Sequence, residues 1–310
     1  MEEEPKKSPT KLLFSLIFIL IAVSLLIIYW LVPFNNISFS PDPENYNFNK
    51  NNLSLENMQF SYNMRYPNKE ISYKIENCGL QKTQDMKNAF EILETSTILD
   101  FYPVNLNQEI SITCEEKNNI QNNLFIAGEG GPTNITLTDK FSVILNGKVL
   151  LIKKSQCTNP NIAIHELLHA LGFAHSDNSK NIMYNYSKCS QEIGSDIINK
   201  INHLYETPVQ EDLNIEDASA AIKLNILEIN ISIRNEGLKK SNPSNLKIYS
   251  KEKLIKEIEI PELEIGHGTK IMLSHLPLRQ KNVEELKLLI EYDYEELDKS
   301  NNEIILKIKK

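Results

Sequence analysis

Residues 165–175 read His165-Glu166-Leu167-Leu168-His169-Ala170-Leu171-Gly172-Phe173-Ala174-His175, and this segment constrains the fold more than any other. His165 and His169 lie four apart, so a helix projects both from one face. Two imidazoles placed this way can each give a nitrogen to one Zn²⁺ at about 2.0–2.1 Å. Gly172 can take a positive φ, which ends the helix and turns the chain. The turn then brings His175 round as a third ligand. Three histidines leave the fourth position of a tetrahedral zinc open for water. Glu166, next to the first ligand, is placed to take a proton from that water. A second marker follows at Asn181-Ile182-Met183-Tyr184.

The histidine spacing with Met183 downstream resembles the metzincin metallopeptidases, whose signature is the extended zinc motif plus a Met-turn. Within them the chain is most similar to the matrixin branch, through Ile182-Met183-Tyr184 and the Ser176 that follows the third histidine. The resemblance implies an α+β catalytic domain with a mixed sheet, a zinc helix and a Met-turn. It implies one catalytic zinc on His165, His169 and His175, Glu166 as the catalytic residue, and Met183 as a hydrophobic floor that is not a ligand. Astacin- and serralysin-type members place a Tyr two residues after the Met. Here that position is Asn185, so a tyrosine ligand is not expected, and Tyr184 and Tyr186 are assigned to the substrate groove. The family also pairs extended substrate with an edge strand above the zinc. By position Leu124, Phe125, Ile126, Ala127 and Gly128 take that part, as strand addition to an open sheet edge. The Gly128–Pro132 segment reads as the turn after that strand, and a plain hairpin turn is the competing reading. A bare His-Glu-x-x-His is a common accident on helices; the third His, the Gly and the Met at family spacing argue against accident here. His203, His267 and His275 have no ligand-like spacing.

Residues 12–32 carry no charge. As a helix, roughly 20 such residues span a bilayer core of about 30 Å. A cleaved signal peptide has an apolar region of about 7–15 residues ending at small residues. This run is longer and ends at Tyr29-Trp30-Leu31-Val32-Pro33, whose aromatics suit a membrane interface. Lys6, Lys7 and Lys11 precede the run and the next Lys or Arg is Lys50. The positive-inside rule then leaves 1–11 as a cytoplasmic tail, 12–32 as a single-pass transmembrane helix, and the rest outside the cell.

All four cysteines lie on the exterior side, which suggests two disulfides among three available pairings. Cys78–Cys114 and Cys157–Cys189 are favoured; the second would bracket the zinc helix and the Met-turn. Cys78-Gly79 superficially resembles the latency element of matrixin zymogens, but the flanking Pro-Arg and Pro-Asp are missing, so the disulfide is the better assignment. Sequons at Asn36, Asn52, Asn134, Asn185 and Asn230 are permissive of glycosylation.

Residues 33–69 are rich in Asn, Pro and Tyr without an apolar period, and read as a stalk, with a propeptide as the alternative. Residues 70–206 read as the peptidase domain. Ile71 to Ile75 alternates as a strand, and Thr83, a proposed cap, opens a helix to Leu99. Asn159 or Asn161 caps the zinc helix, with Pro160 in its first turn. Ile193, Ile197, Ile198, Ile201 and Leu204 mark a terminal helix. In residues 212–310, Ile222, Leu224 and Ile226 alternate, and Ile229, Ile231 and Ile233 alternate in opposite phase, which places a β-bulge near Leu227. With strands at 286–292 and 304–308, this is an all-β immunoglobulin-like sandwich. Ile233 to Gly237 together with Leu297 to Asn302 resembles CARDB-type adhesion modules.

A net charge of −8 and the absence of a basic, aromatic-interleaved patch argue against nucleic acid as a partner. The expected function is a membrane-anchored zinc endopeptidase whose partners are protein or peptide substrates, the membrane through 12–32, and a cell-surface ligand of the sandwich. The rival is a surface adhesion protein in which the sandwich carries the function. Asp139 and Asp177 are the candidates for structural Ca²⁺, though neither lies in a ligand loop.

Overall fold

The computed structural model describes residues 9–31, 35–39, 58–116, 120–121, 124–153, 157–278 and 283–308. The N-terminal apolar run forms α1 (Pro9–Leu31), with Phe14, Phe18 and Leu20 exposed along it. Among the described residues no helix is long and apolar enough to cross a membrane; within α1 the described side chains are Phe14, 16–25 and Ile27. A short strand β1 (Asn35–Phe39) follows.

The first domain, residues 58–206, holds β2 (Met64–Arg65), β3 (Glu70–Glu76), α2 (Leu80–Ser96), β4 (Asp100–Pro103) and β5 (Ile110–Cys114). It continues through a small hairpin, β6 (Ile120–Gln121) and β7 (Leu124–Phe125), then β8 (Gly128–Leu137), β9 (Ser142–Leu151), α3 (Asn161–Ala170) and α4 (Ser195–Glu206). Its sheet is mixed. β9, β5, β3 and β4 run parallel in that order, β2 extends the β5 side of β9, and β8 pairs antiparallel on the other side of β9. The alternation of Ile71, Tyr73, Ile110 and Ile112 buries one sheet face against the apolar stripe of α2, Met86, Ala89, Phe90 and Leu93. Phe90 stacks on Tyr73 at 4.2 Å and meets Phe101 at 4.7 Å. Ile197, Ile201 and Leu204 of α4 close the same core. Arg65 is buried between the rings of Tyr205 and Phe141 and donates to Leu204 O and Thr207 O, so a cation caps the C-terminal end of α4.

The second domain is a sandwich of two four-stranded sheets. It comprises β10 (Leu213–Lys223), β11 (Ile226–Asn235), β12 (Ser244–Ser250), β13 (Lys253–Ile260), β14 (Gly268–Pro277), β15 (Glu285–Glu291) and β16 (Glu303–Lys307). One sheet runs β1-β14-β11-β10 and the other β13-β12-β15-β16, with Ile229, Ile231, Leu246, Ile248, Leu286 and Leu288 between them. A small apolar joint of Phe141, Val143 and Leu238 links the two domains.

Several expectations need correction. Parts of the expected stalk are folded: β1 pairs with β14, and the chain from Met58 onward packs into the first domain, which gains its first strand at Met64. Asn52 and residues 40–57 of that stretch lie outside the described residues. Gly128 to Pro132 is not a turn but the start of the ten-residue strand β8. Its glycines lower strand propensity, and packing on α3 overrides that. α2 begins at Leu80 with Gly79 at its cap, so Thr83 lies inside the first turn. Neither Asn159 nor Asn161 caps α3; Pro160 holds that position, and Asn161 Nδ2 donates instead to Lys188 O at 2.8 Å. Ile222, Leu224 and Ile226 are not one strand: Leu224 and Asn225, at φ of 52° and 61°, form the hairpin between β10 and β11. The bulge sits where the phase slips, between Leu227 and Ile229, against β14.

Candidate active site

α3 places His165 and His169 on one face, one turn apart. The helix then stops: Gly172 has φ of 93°, Gly172 N–H donates to His169 O, and Phe173 N–H donates to Leu168 O. The left-handed residue reverses the chain so that His175 faces the helix. His165 Nε2 lies 3.3 Å from His175 Nε2, and His169 Nε2 lies 3.1 Å from it. His165 Nδ1 is 2.6 Å from Ile182 O and His169 Nδ1 is 2.7 Å from Phe173 O. A ring nitrogen against a carbonyl carries the proton, so the Nε2 atoms of His165 and His169 are the bare lone-pair nitrogens. Both bare nitrogens are turned toward His175 Nε2, which leaves their lone pairs available to a cation shared by the three rings. Their spacing fits three corners of a tetrahedron around a metal with bonds of about 2.0–2.1 Å. The donor set therefore fits zinc, and it is the one such group among the described residues.

Glu166 is buried, at 6% exposure, beside this cluster. The edge strand explains its position. A Cβ at Gly128 would lie 2.7 Å from Glu166 Cγ and 2.9 Å from Oε1, and one at Gly130 would lie 2.1 Å from the Glu166 backbone oxygen. Only glycine lets β8 come this close to α3. Of the residues assigned to substrate in the sequence, Gly128 is thus brought against the Glu166 carboxylate. Ile126 and Ala127 precede the strand, with Ala127 O accepting from Ile152 and Lys153 N–H. The side chains of Leu124 and Phe125 lie outside the described residues.

Met183 is fully buried, and its backbone accepts from Ser176 N–H at 2.8 Å. Asn181 Oδ1 accepts Met183 N–H at 2.9 Å, which fixes the turn that also delivers Ile182 O to His165. Tyr184 and Tyr186 follow with ring centroids 5.8 Å apart, and Tyr186 is half exposed. The disulfides join Cys78 to Cys114 and Cys157 to Cys189. The second closes a loop holding α3, all three histidines and Met183. Reading the sequence alone missed the role of Gly130; its signal was three glycines within four residues, Gly128 to Gly131. It also missed Gln59 and Phe60, which lie beside the site and carry no motif.

Residues 65–206 match the matrixin family and residues 210–305 match the CARDB family. The chain carries a matrixin domain followed by a CARDB domain. No curated protein matches the chain. Among solved structures, it is similar to the CARDB domain of a Pyrococcus furiosus protein in complex with di-metal ions, at 14% identity and a TM-score of 0.28, over 32% of this chain and 90% of that one. It is also similar to high choriolytic enzyme 1, a hatching-enzyme zinc protease of the medaka fish Oryzias latipes, at 20% identity and a TM-score of 0.24, over 35% and 46%. Myroilysin is similar at 15% identity and a TM-score of 0.24, over 36% and 52%. The chain thus spans about half the length of these two proteins. The matrixin match and the histidine triad together support a zinc metallopeptidase.

Proposed function

We propose that the protein is a zinc endopeptidase, anchored to the membrane by α1 and working outside the cell, with Glu166 as its catalytic acid–base residue. One observation carries the reading: three imidazole Nε2 atoms converge beside a buried carboxylate that a glycine strand holds in place. A zinc ion on His165, His169 and His175 would polarise the scissile carbonyl and lower the pKa of water toward 7. The chain's residues do the rest. The Ile182 and Phe173 carbonyls fix the tautomer and orientation of His165 and His169. Glu166 takes a proton from the attacking water and returns it to the leaving amine. β8 pairs only with β9 among the described strands, so its outer edge offers backbone groups to an extended peptide. Gly128, at the start of that edge, puts the scissile bond beside Glu166. Tyr184 and Tyr186 line the side chain pocket after that bond. The exposed apolar surface of α1, the lysines before it and the two disulfides support the anchored, exterior placement. The CARDB match supports a targeting role for the sandwich.

The reading is tested by digesting a diverse peptide library with the protein and sequencing the products by mass spectrometry. Cleavage abolished by a zinc chelator and restored by zinc is expected. A folded, zinc-loaded protein that cuts nothing would move the function to the sandwich, as a surface binding protein.

A further inference from the structure

A segment with no ligand of its own reaches the metal centre from the N-terminal side. Met58, Gln59 and Phe60 run antiparallel beside Gly172–Ala174. Phe60 N–H donates to Gly172 O at 2.9 Å, Ala174 N–H donates to Met58 O at 2.9 Å, and Gln59 sits opposite Phe173. The Gln59 side chain is 3% exposed and turns back on its own chain. Its Nε2 donates to Met64 O at 2.6 Å, and its Oε1 accepts Met64 N–H at 3.1 Å. These two bonds close Met58–Met64 into a hook. Met64 fills the space beside the left-handed glycine, where a Cβ on Gly172 would lie 2.6 Å from both Met64 Cγ and Sδ. The Phe60 ring stacks on the His169 ring at 5.6 Å and 22°.

The hook grips Gly172–Ala174, the three residues that lead into His175. That tripeptide has two tasks. Phe173 O orients His169 through Nδ1, and Ala174 leads directly to the third ligand. Without the hook the tripeptide would keep only the bonds of the turn to His169 and Leu168, and any order it lost would have to be regained on metal binding, at a cost to affinity. Held in advance, it presents His169 and His175 at the observed spacing.

We propose that Gln59, Phe60 and Met64 are positioning residues for the metal centre, acting through His169 and the Gly172–Ala174 span to set metal affinity and geometry. The proposal rests on the zinc reading of the histidine cluster. Groups that orient metal ligands from behind are typically worth about 10–100-fold in affinity, and a loss near the lower end of that range is expected for Phe60→Ala.

The test uses the full chain, with wild type, Phe60→Ala, Phe60→Leu and Phe60→Tyr. Zinc affinity is read by chelator competition, and ligand geometry by the visible absorption of the cobalt-loaded protein. Thermal unfolding of the metal-free proteins is measured alongside. Phe60→Leu keeps apolar volume and guards against a Phe60→Ala that does not fold. Weaker zinc binding and an altered cobalt spectrum in Phe60→Leu are expected, with Phe60→Tyr close to wild type. Wild-type affinity and spectrum in a folded Phe60→Leu would overturn the hook's role, even if its metal-free melting temperature dropped. A wild type that binds no zinc would overturn the metal reading, and the hook with it.

Discussion

Both domains bury charged and polar side chains, and they use them in opposite ways. In the sandwich each buried acid has partners drawn from the segments around it. Glu211 accepts from Tyr292 and Asn242 and pairs with Lys239. Glu236 accepts Asp139 N–H and pairs with Arg234. Glu296 accepts from Leu213 N–H and Asn302. In the catalytic domain the ring protons of His165 and His169 point outward to carbonyls, and their bare nitrogens are turned toward His175. The first pattern is what buried polar groups do when their task is to hold a structure. The second suits a cation held between the rings. Burial of polar groups alone therefore does not mark a site in this molecule; convergence of like groups does.

The joint between the domains follows the sandwich's pattern. Lys140, in the hairpin between β8 and β9, pairs with Asp212 at 3.2 Å and Asp298 at 3.5 Å, and Arg234 donates to Leu137 O at 2.9 Å. One end of β8 is thus held by the sandwich, while the other end cradles Glu166.

The contrast can be broken most sharply at His175. In His175→Ala, loss of stoichiometric zinc and of peptide cleavage is expected, with the sandwich still folded; full zinc occupancy by elemental analysis would show that the third ligand is misassigned. Next in size is the paired substitution Cys157→Ser with Cys189→Ser. Opening that loop removes about 2–4 kcal/mol from the catalytic domain, mostly by freeing the unfolded chain. Denaturant unfolding should show the loss, and an unchanged midpoint would count against it. Gly130→Ala is smaller. The added methyl pushes β8 off α3, for about 1–3 kcal/mol of overpacking, and kcat should fall as Glu166 shifts. Wild-type kcat would mean that strand and helix separate without consequence.

The smallest effect belongs to the sandwich side. Burial raises the Glu236 carboxyl from 4.5 to about 7, against the lowering pull of the Asp139 N–H and Arg234. A folded pKa above the unfolded one gives stability that is fully present below pH 4.5 and is lost as pH rises through about 7. Thermal unfolding across that window should show wild type losing stability relative to Glu236→Gln. A constant difference between the two at all pH values would contradict the buried acid.

The meeting of the three histidines, the turn at Met183 and both disulfides could be read from the sequence because their geometry is local or enclosed in loops of some thirty residues. The histidine spacing is a property of one helix and one turn. β8 could not be read correctly: Gly128, Gly130 and Gly131 look like a turn, and the close approach of α3, more than thirty residues on, explains Gly128 and Gly130. The hook at Gln59 was hidden for the same reason. Its meaning lies in Phe173 and Gly172, far along the chain, and a buried glutamine bonded to its own backbone has no sequence signature. The hairpin at Leu224 misled by its apolar residue, which is 97% exposed at a turn tip.

The most direct test compares wild type with Glu166→Gln, both zinc-loaded, on one cleavable peptide. Removing the positioned acid–base group should lower kcat by about 10²–10⁴-fold, with the zinc content unchanged. Equal kcat in the two proteins would contradict the account of Glu166 and of the site built around it.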